Sequence, residues 1–325
     1  MAKEKVILGI DTSCYTTSIA VMNLQGQLLA DERQILEVKE GGCGLAQSEM
    51  VFQHTRNLPK LMNKINFADL KLCAVAATNK PRPLVDSYMP AFLTGFGLAQ
   101  NLAQVLSLPL YALSHQENHL AAGLWSAKGP EEDRFLLLHG SGGTTDVLLV
   151  EGHLSNGVLL TLVGESVDLH AGQFVDRVGV SLGLSFPAGP SLEKLAQEAD
   201  KHVLLRPWIK ENKISFSGIC SKAQRLAEAG TNKAELALGV EDALGRGFAK
   251  LLTNICQQHA LQEVLLVGGV CSNAYVRQLL QELLAKKRIN TFMPAPRYSG
   301  DGAVGAAYYG LTKVRSRMNG SGVEC

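Results

Sequence analysis

Apolar and polar positions follow two different rhythms along this chain. Short apolar and β-branched runs, Val6–Ile10 and Thr16–Met22, flank the polar stretch Asp11-Thr12-Ser13-Cys14-Tyr15. Two such runs around a compact polar turn predict a β-hairpin. About 130 residues later the design recurs as Phe135–Leu138, the turn His139-Gly140-Ser141-Gly142-Gly143-Thr144-Thr145 and the return run Asp146–Val150. Both hairpins carry a Thr-Thr pair and an Asp near the turn, and two copies of one unit point to duplicated lobes.

Helical spacing fills much of the remainder. Ser48–Ile65 carries apolar residues at Met50, Leu58, Leu61 and Ile65, and a second stretch, Leu84–Leu106, is broken near Pro90. A short strand, Leu108–Leu113, is followed by a helix opening at Ser114, whose hydroxyl suits an N-cap. The strongest pattern is Lys233–Gln258, where Leu236, Val240, Leu244, Phe248, Leu251 and Ile255 form a stripe that must face a core. Val264–Val267 reads as a strand ending at Gly268-Gly269-Val270, after which Asn273 opens a helix running to about Lys287. Gly300–Leu311 reads as the start of a small-residue helix, and the polar tail Arg315–Cys325 as a frayed end. The polar segment Trp125–Asp133 is the natural boundary, which divides the chain into 1–129, 130–314 and the tail 315–325.

Composition sharpens this picture. A chain of 325 residues with 46% hydrophobic and 19% charged residues has room for two cores. Its net charge of +1 provides no overall electrostatic footprint for nucleic acid, so an RNA substrate calls for a local patch or a partner protein. The seven cysteines are scattered without a C-x-x-C pair, and no run approaches the length of a membrane helix. The expectation is a cytoplasmic, reduced protein without membrane association.

Three motifs carry chemistry. The two hairpin turns offer backbone amides and hydroxyls to an anion. In the first, Asp11 would hold a metal-bound water while Thr12, Ser13 and Thr16 donate to phosphate. In the second, three glycines let the backbone approach a phosphate closely. The strand–Gly268-Gly269-Val270-x-x-Asn273–helix passage places bare glycines and a helix N-terminus at a strand's C-terminal end, where nucleotides bind in open α/β sheets. Finally, His115 and His119 share one helix face at i and i+4, and Asp301, in the glycine-flanked turn Ser299–Ala303, is the best third ligand. Glu117 does not directly follow the first His, so the zinc-peptidase arrangement is absent. The other histidines lack ligand spacing, and Lys286-Lys287-Arg288 reads as a solvated helix end.

Together these segments resemble the tRNA threonylcarbamoyladenosine transferases, the TsaD family, long mislabelled as O-sialoglycoprotein endopeptidases. The resemblance runs from Ile7 to about Tyr309. It rests on Ile7–Thr17 (ILGIDTSCYTT), His115–His119, Ser141–Asp146, Gly164–Asp168 with Ala171–Arg177, Phe186–Pro190, Ile214–Ile219 and Gly268–Asn273. It implies a two-lobed actin/hexokinase-like α/β fold (duplicated RNase H-like lobes) with a nucleotide in the cleft between lobes. It implies an iron or zinc ion on His115, His119 and Asp301. It implies an adenylate, threonylcarbamoyl-AMP or ATP, held by His139, Gly140, Ser141, Gly142, Gly143, Asp176, Gly189 and Asn273, with Asp11 and Asp176 in catalytic positions. The implied reaction moves a threonylcarbamoyl group from its AMP anhydride to N6 of the adenosine next to the tRNA anticodon. The implied partners are a small TsaB-like paralogous subunit, a TsaE-like ATPase and tRNA engaged through the complex.

Several positions depart from the family pattern. The family's G-P-G-L-x-G-A-L loop is replaced by Lys80–Pro90, its loop His by Thr144 and its A-G-E Glu by Gln173, while Gly300 falls opposite its metal-binding Asp unless the register shifts by one. These changes describe a divergent paralogue. The alternatives are a related carbamoyl or acyl transferase, or an ATP-using enzyme, with another acceptor, and a non-catalytic nucleotide-binding scaffold.

Overall fold

The alternation of strand and helix rhythms produces two α/β units in the computed structural model, which describes residues 3–38 and 44–321. The first unit comprises 1–126, 152–158 and 301–325, and the second comprises 127–151 and 159–300. The first change of unit falls inside the polar segment at Trp125–Asp133. The end of the chain does not follow chain order: residues from Asp301 onward belong to the first unit, not to a lobe spanning 130–314.

The first unit is built on a five-stranded sheet of β1 (Glu4–Asp11), β2 (Thr16–Asn23), β3 (Leu28–Ile35), β4 (Leu70–Lys80) and β5 (Leu110–Ser114), in the order β3-β2-β1-β4-β5. β1 and β2 form the expected antiparallel hairpin, with Ile10 opposite Ile19, and β4 and β5 add in parallel. Its helices are α1 (Gln47–Met62), α2 (Ala91–Val105), α3 (His115–Ala127) and, from the end of the chain, α10 (Val304–Ser321). Val6, Leu8, Ile10, Ile19, Val21 and Leu61 are buried at the heart of its core.

Two expected boundaries move furthest. The helix expected over Leu84–Leu106 starts only at Ala91, because Pro81, Pro83 and Pro90 leave 81–90 without the donors and backbone freedom a helix needs. The tail expected to fray at Arg315 is helical to Ser321. It is held by packing: a Cβ on Gly9 of β1 would come within 2.5 Å of the Ala303 carbonyl oxygen and the Ala307 amide, so glycine lets the last helix lie directly on the sheet. Arg315 also donates to the Leu24 carbonyl.

The second unit repeats the plan. Its strands are β6 (Arg134–Gly140), β7 (Thr145–His153), β8 (Gly157–Ser166), β9 (Trp208–Lys210), β10 (Lys213–Ser215), β11 (Glu263–Val267) and β12 (Asn290–Phe292), ordered β12-β11-β6-β7-β8-β10-β9. The run β8-β7-β6-β11-β12 repeats the order of the first sheet, again with an antiparallel hairpin at its centre and parallel additions beside it. The short β9–β10 hairpin is an addition on the outer edge. The helices are α4 (Ala171–Ser181), α5 (Gly189–Ala196), α6 (Ser217–Glu228), α7 (Lys233–His259), α8 (Ala274–Ala285) and the single turn α9 (Pro296–Ser299). α7 buries its whole predicted stripe, and Phe248 meets Phe216 edge-on at 6.1 Å while Phe216 stacks on Phe174 at 5.5 Å.

Candidate metal centre and nucleotide loops

In the first unit the polar turn after β1 does not open outward. Thr12 and Ser13 are fully buried; the Thr12 hydroxyl donates to the Ala91 carbonyl and the Ser13 hydroxyl to Asp11 Oδ2. Thr16 is nearly buried on β2. The hydroxyls of Thr12 and Ser13, expected to greet a phosphate, are bonded instead within their own unit. Asp11 belongs to the same buried turn. Its carboxylate is fully buried and accepts from the Ser13 amide (3.1 Å), Thr78 Oγ1 (2.5 Å) and Asn118 Nδ2 (3.1 Å). It faces His115 Nδ1 at 3.6 Å, the ring nitrogen that does not face Asp301.

Helix α3 supplies the two histidines. Ser114 and Glu117 close a capping box: the Glu117 carboxylate accepts from the Ser114 amide and hydroxyl, and the Glu117 amide donates to Ser114 Oγ. Glu117 thus fixes the helix start. One turn apart, His115 and His119 direct their Nε2 atoms to one point, 3.1 Å from each other. Asp301 Oδ1 completes the triangle at 3.5 Å from His115 Nε2 and 3.3 Å from His119 Nε2. Among the described residues these three form the group of His, Cys, Asp and Glu side chains able to share an ion. The register shift therefore brings Asp301, not Gly300, to the histidines.

The donor set fits a divalent ion. A tetrahedral ion with ligands at about 2.0–2.2 Å holds its ligand pairs about 3.3–3.6 Å apart, close to the triangle's edges. Two imidazoles and one carboxylate suit zinc or ferrous iron. Asp11 opposite His115 Nδ1 is the outer carboxylate that orients such a ligand. Electrostatics agree with a tightly knit site. Burial opposes charge on His115, but the Asp11 and Asp301 carboxylates outweigh it and raise its pKa to about 10. Burial and then the neighbouring His115 push His119 down. Asp301 is held well below the usual carboxylate range, its burial outweighed by both histidines.

In the second unit the expected turn is shorter than its sequence suggested. His139 and Gly140 are ladder residues of β6, paired with Asp146 and Thr145, and both are buried. They are the last ladder residues before the loop, not part of the turn as expected. The loop itself is Ser141–Thr144, closed by the Ser141 amide donating to the Thr144 carbonyl (2.8 Å). Gly142 and Gly143 are exposed, with open space where side chains would stand. Helix α4 starts against this loop: the Gly172 amide donates to Ser141 O, the Ala171 amide to Thr145 Oγ1, and a Cβ on Gly172 would meet Gly142 at 2.6 Å.

Asp176, in the second turn of α4, accepts from the Ala188 amide (2.8 Å), and burial raises its pKa. That bond ties α4 to the Pro187–Pro190 turn, where Gly189 opens α5 with free space above its Cα. Asn273 caps α8 through the Val276 amide (2.9 Å) and donates from Nδ2 to Glu241 Oε1 (2.6 Å). Glu193 of α5 accepts from the Ala274 amide (2.8 Å), joining the two helix starts. Burial and the Glu193 charge push Glu241 up to about 7 against the Asn273 hydrogen bond. Sequence reasoning missed Glu193 and Glu241. The signal for Glu241 was its row: Ala237, Glu241 and Gly245 flank the apolar stripe, so the acid had to be buried beside it.

Asp168, in the Gly164–Asp168 segment, has a structural task. It accepts from the Ser215 and Ser217 hydroxyls and the Phe216 and Leu169 amides, which against some burial lower its pKa to about 2.

Comparisons with known proteins agree with this architecture. A family model described as TsaD, tRNA N6-adenosine threonylcarbamoyltransferase, matches residues 38–308. A tRNA N6-adenosine threonylcarbamoyltransferase from Granulibacter bethesdensis (strain ATCC BAA-1260 / CGDNIH1) is 30% identical over 336 residues, covering 95% of this chain and 88% of that protein. Solved structures share the fold at low identity. Component A of the Acidaminococcus fermentans (R)-2-hydroxyglutaryl-CoA dehydratase aligns with a TM-score of 0.57 at 16% identity, over 95% of this chain and 99% of that one. Full-length HypF in its phosphate- and nucleotide-bound form gives 0.60 at 14%, over 100% of this chain and 48% of that one. A Streptomyces griseus ROK family glucokinase with glucose and AMPPNP gives 0.54 at 12%, over 93% and 98%. These neighbours, with the two repeated mixed sheets, make the fold actin/hexokinase-like, and no helix among the described residues is long and apolar enough to cross a membrane. With its matched segment and its full-length relative, the chain belongs to the tRNA N6-adenosine threonylcarbamoyltransferase (TsaD) family.

Proposed function

We propose that this chain transfers the threonylcarbamoyl group of threonylcarbamoyl-AMP to N6 of the adenosine adjacent to the anticodon of tRNA, with Fe²⁺ or Zn²⁺ held by His115, His119 and Asp301. The observation that carries this reading is the triangle of donor atoms at 3.1, 3.3 and 3.5 Å in a chain of this family. When bound, the ion supplies a Lewis acid for the carbamoyl carbonyl. The remaining roles fall to the second unit. The amides of Gly142 and Gly143 receive the adenylate phosphate. Asp176, with Oδ1 committed to the Ala188 amide, offers Oδ2 to a ribose hydroxyl, and Asn273 directs its remaining N–H to the nucleotide.

Chemically, the adenosine nitrogen bonds to the carbamoyl carbon, the carbon–oxygen bond to phosphate breaks, AMP leaves with the electron pair and the N6 proton passes to solvent water. Protein nucleophiles are not required. A TsaB-like subunit, a TsaE-like ATPase and a cytoplasmic setting belong to the same proposal.

The test is complementation of a strain lacking its own tRNA threonylcarbamoyltransferase, with the native partners co-expressed and tRNA nucleosides analysed by mass spectrometry. Restored threonylcarbamoyladenosine is expected. Its absence despite soluble expression overturns the reading.

One observation favours a second reading, in which the acceptor is not tRNA. The Pro81–Pro90 loop that replaces the family's glycine-rich loop exposes Leu84, Val85 and Tyr88, with Val85 97% exposed. Carbamoylation of a non-RNA acceptor by purified protein, with tRNA unmodified, would decide for it.

A further inference from the structure

The β9–β10 hairpin lies outside the five-strand plan that the two units share. Its sequence, Arg206-Pro207-Trp208-Ile209-Lys210-Glu211-Asn212-Lys213, alternates in burial: Arg206, Trp208 and Lys210 are exposed, while Pro207 and Ile209 are half-buried. Successive strand residues point to opposite faces, so Trp208 and Lys210 share the outer one. Across the antiparallel ladder Lys213 pairs directly with Lys210, and Ser215 with Trp208. Like charges placed directly opposite each other cost stability. Glu165 on β8 is the ladder neighbour of Lys213 on its other side, but the two side chains form no ion pair among the described residues.

Trp208 is one of only two tryptophans in the chain and is 51% exposed. The other, Trp125, is half-buried and donates from Nε1 to the Gly26 carbonyl. Beneath the hairpin, Arg206, Pro207 and Ile209 join Arg246 and Lys250 of α7 around a cavity of about 390 Å³. Asp242 already binds Arg246 through both carboxylate oxygens. Arg206, Lys210, Lys213 and Lys250 make no ion pair among the described residues. The platform is firmly seated: Ile214 is fully buried, and a Cβ on Gly247 would meet Pro207 at 2.9 Å.

We propose that this hairpin is a docking platform for single-stranded RNA, with Trp208 stacking on an unpaired base, Lys210 and Lys213 holding the flanking phosphates on the same face, and Arg206 and Lys250 meeting the strand where it passes around the β9 edge. An exposed aromatic ring among uncommitted cations is the combination that single strands select, because stacking needs a base free of its duplex. A chain of net charge +1 has no general affinity for polyanions, so the local cluster must supply it. A protein strand added to the β9 edge would use backbone groups instead, and would leave four cations without partners. The inference rests on the reading that the acceptor is RNA.

The test is anisotropy of a fluorescein-labelled single-stranded oligoribonucleotide, and of the same sequence as a duplex, titrated with the full chain. The single strand is expected to bind more tightly and to quench tryptophan emission. Trp208→Ala should weaken binding on the order of tenfold or more, while Trp208→Phe, which keeps a stacking face, should restore most of it. The double variant Lys210→Glu/Lys213→Glu should lower the slope of log affinity against log salt by about 1.4, the loss of two single-strand phosphate contacts. AMP binding and metal content should not change in any of these variants.

RNA binding that ignores Trp208 and both lysines, or equal affinity for the duplex, overturns the proposal. So does a protein ligand that depends on Trp208 in the absence of any RNA affinity. If tRNA modification fails in the complementation test while single-strand binding still depends on Trp208, the proposed reaction is lost and the platform stands.

Discussion

Glu241 allows the electrostatics of the nucleotide side to be measured without any ligand. It is 2% exposed on α7, with Oε1 bonded to Asn273 Nδ2 and Glu193 as a like-charged neighbour. Its pKa rises from 4.5 to about 7, mainly through burial. The native state therefore keeps a proton that the unfolded chain has already released between these values, and stability falls as pH rises through that window. At about 1.4 kcal/mol for each pH unit, the loss is at most about 3 kcal/mol and is complete somewhat above pH 7.

Glu241→Gln keeps an oxygen for Asn273 but cannot ionise. Urea unfolding of wild type and variant, followed by circular dichroism from pH 5 to pH 8 in metal-free buffer, isolates this group by difference. The variant should gain on wild type by about 2–3 kcal/mol across that range, with most of the change below pH 7. Parallel stability curves, or a wild type that gains as pH rises, would refute the assignment of a buried, protonated carboxyl at this position.

Asp11→Asn removes the carboxylate that faces His115 Nδ1 at 3.6 Å, and should weaken metal affinity about 10- to 100-fold in a competition assay with a chromophoric chelator. Gly172→Ala introduces a Cβ 2.6 Å from Gly142 and should impair AMP binding by calorimetry while far-UV dichroism stays native. Phe216→Ala empties the centre of the Phe174–Phe216–Phe248 row, and should destabilise the second unit by about 3–5 kcal/mol in urea unfolding.

The parts of this protein legible in its sequence are those where local pattern and tertiary role coincide. The stripe from Leu236 to Ile255 announced α7, because six apolar residues at helical spacing have no other economical use. The repeated hairpins announced two sheets of one order. The pairing of His115 with His119 was visible because an i, i+4 spacing fixes geometry within one helix. What stayed hidden depended on contacts distant in sequence. The hydroxyls of Thr12 and Ser13 look like phosphate donors until Ala91 and Asp11 are seen to accept from them. His139 and Gly140 look like turn residues because a Gly-rich stretch carries no mark of where its ladder ends. The tail after Arg315 looks frayed by composition, yet it continues α10, whose first turns lie directly on β1, a strand that begins at residue 4.

The position of Asp301 shows how such distant contacts build a site. Its neighbours in the chain, not the histidines, fix the carboxylate. Arg33 Nη1 donates to the Asp301 carbonyl at 3.0 Å, and Asn118, between the two histidines, donates to the Gly302 carbonyl at 2.9 Å. A Cβ on Gly305 would fall 1.9 Å from the Asn118 carbonyl oxygen, so α10 can approach α3 this closely only through a glycine. Asn118 also donates to Asp11, which faces His115. One amide thus sets the return of the chain, the second-layer carboxylate and, through its helix, both imidazoles. Because these bonds are made entirely by protein atoms, the three donor atoms are assembled by the folding of the first unit. An ion arriving at the triangle has little conformational entropy left to remove, and its affinity is governed by how well Asn118 and Gly305 fit together.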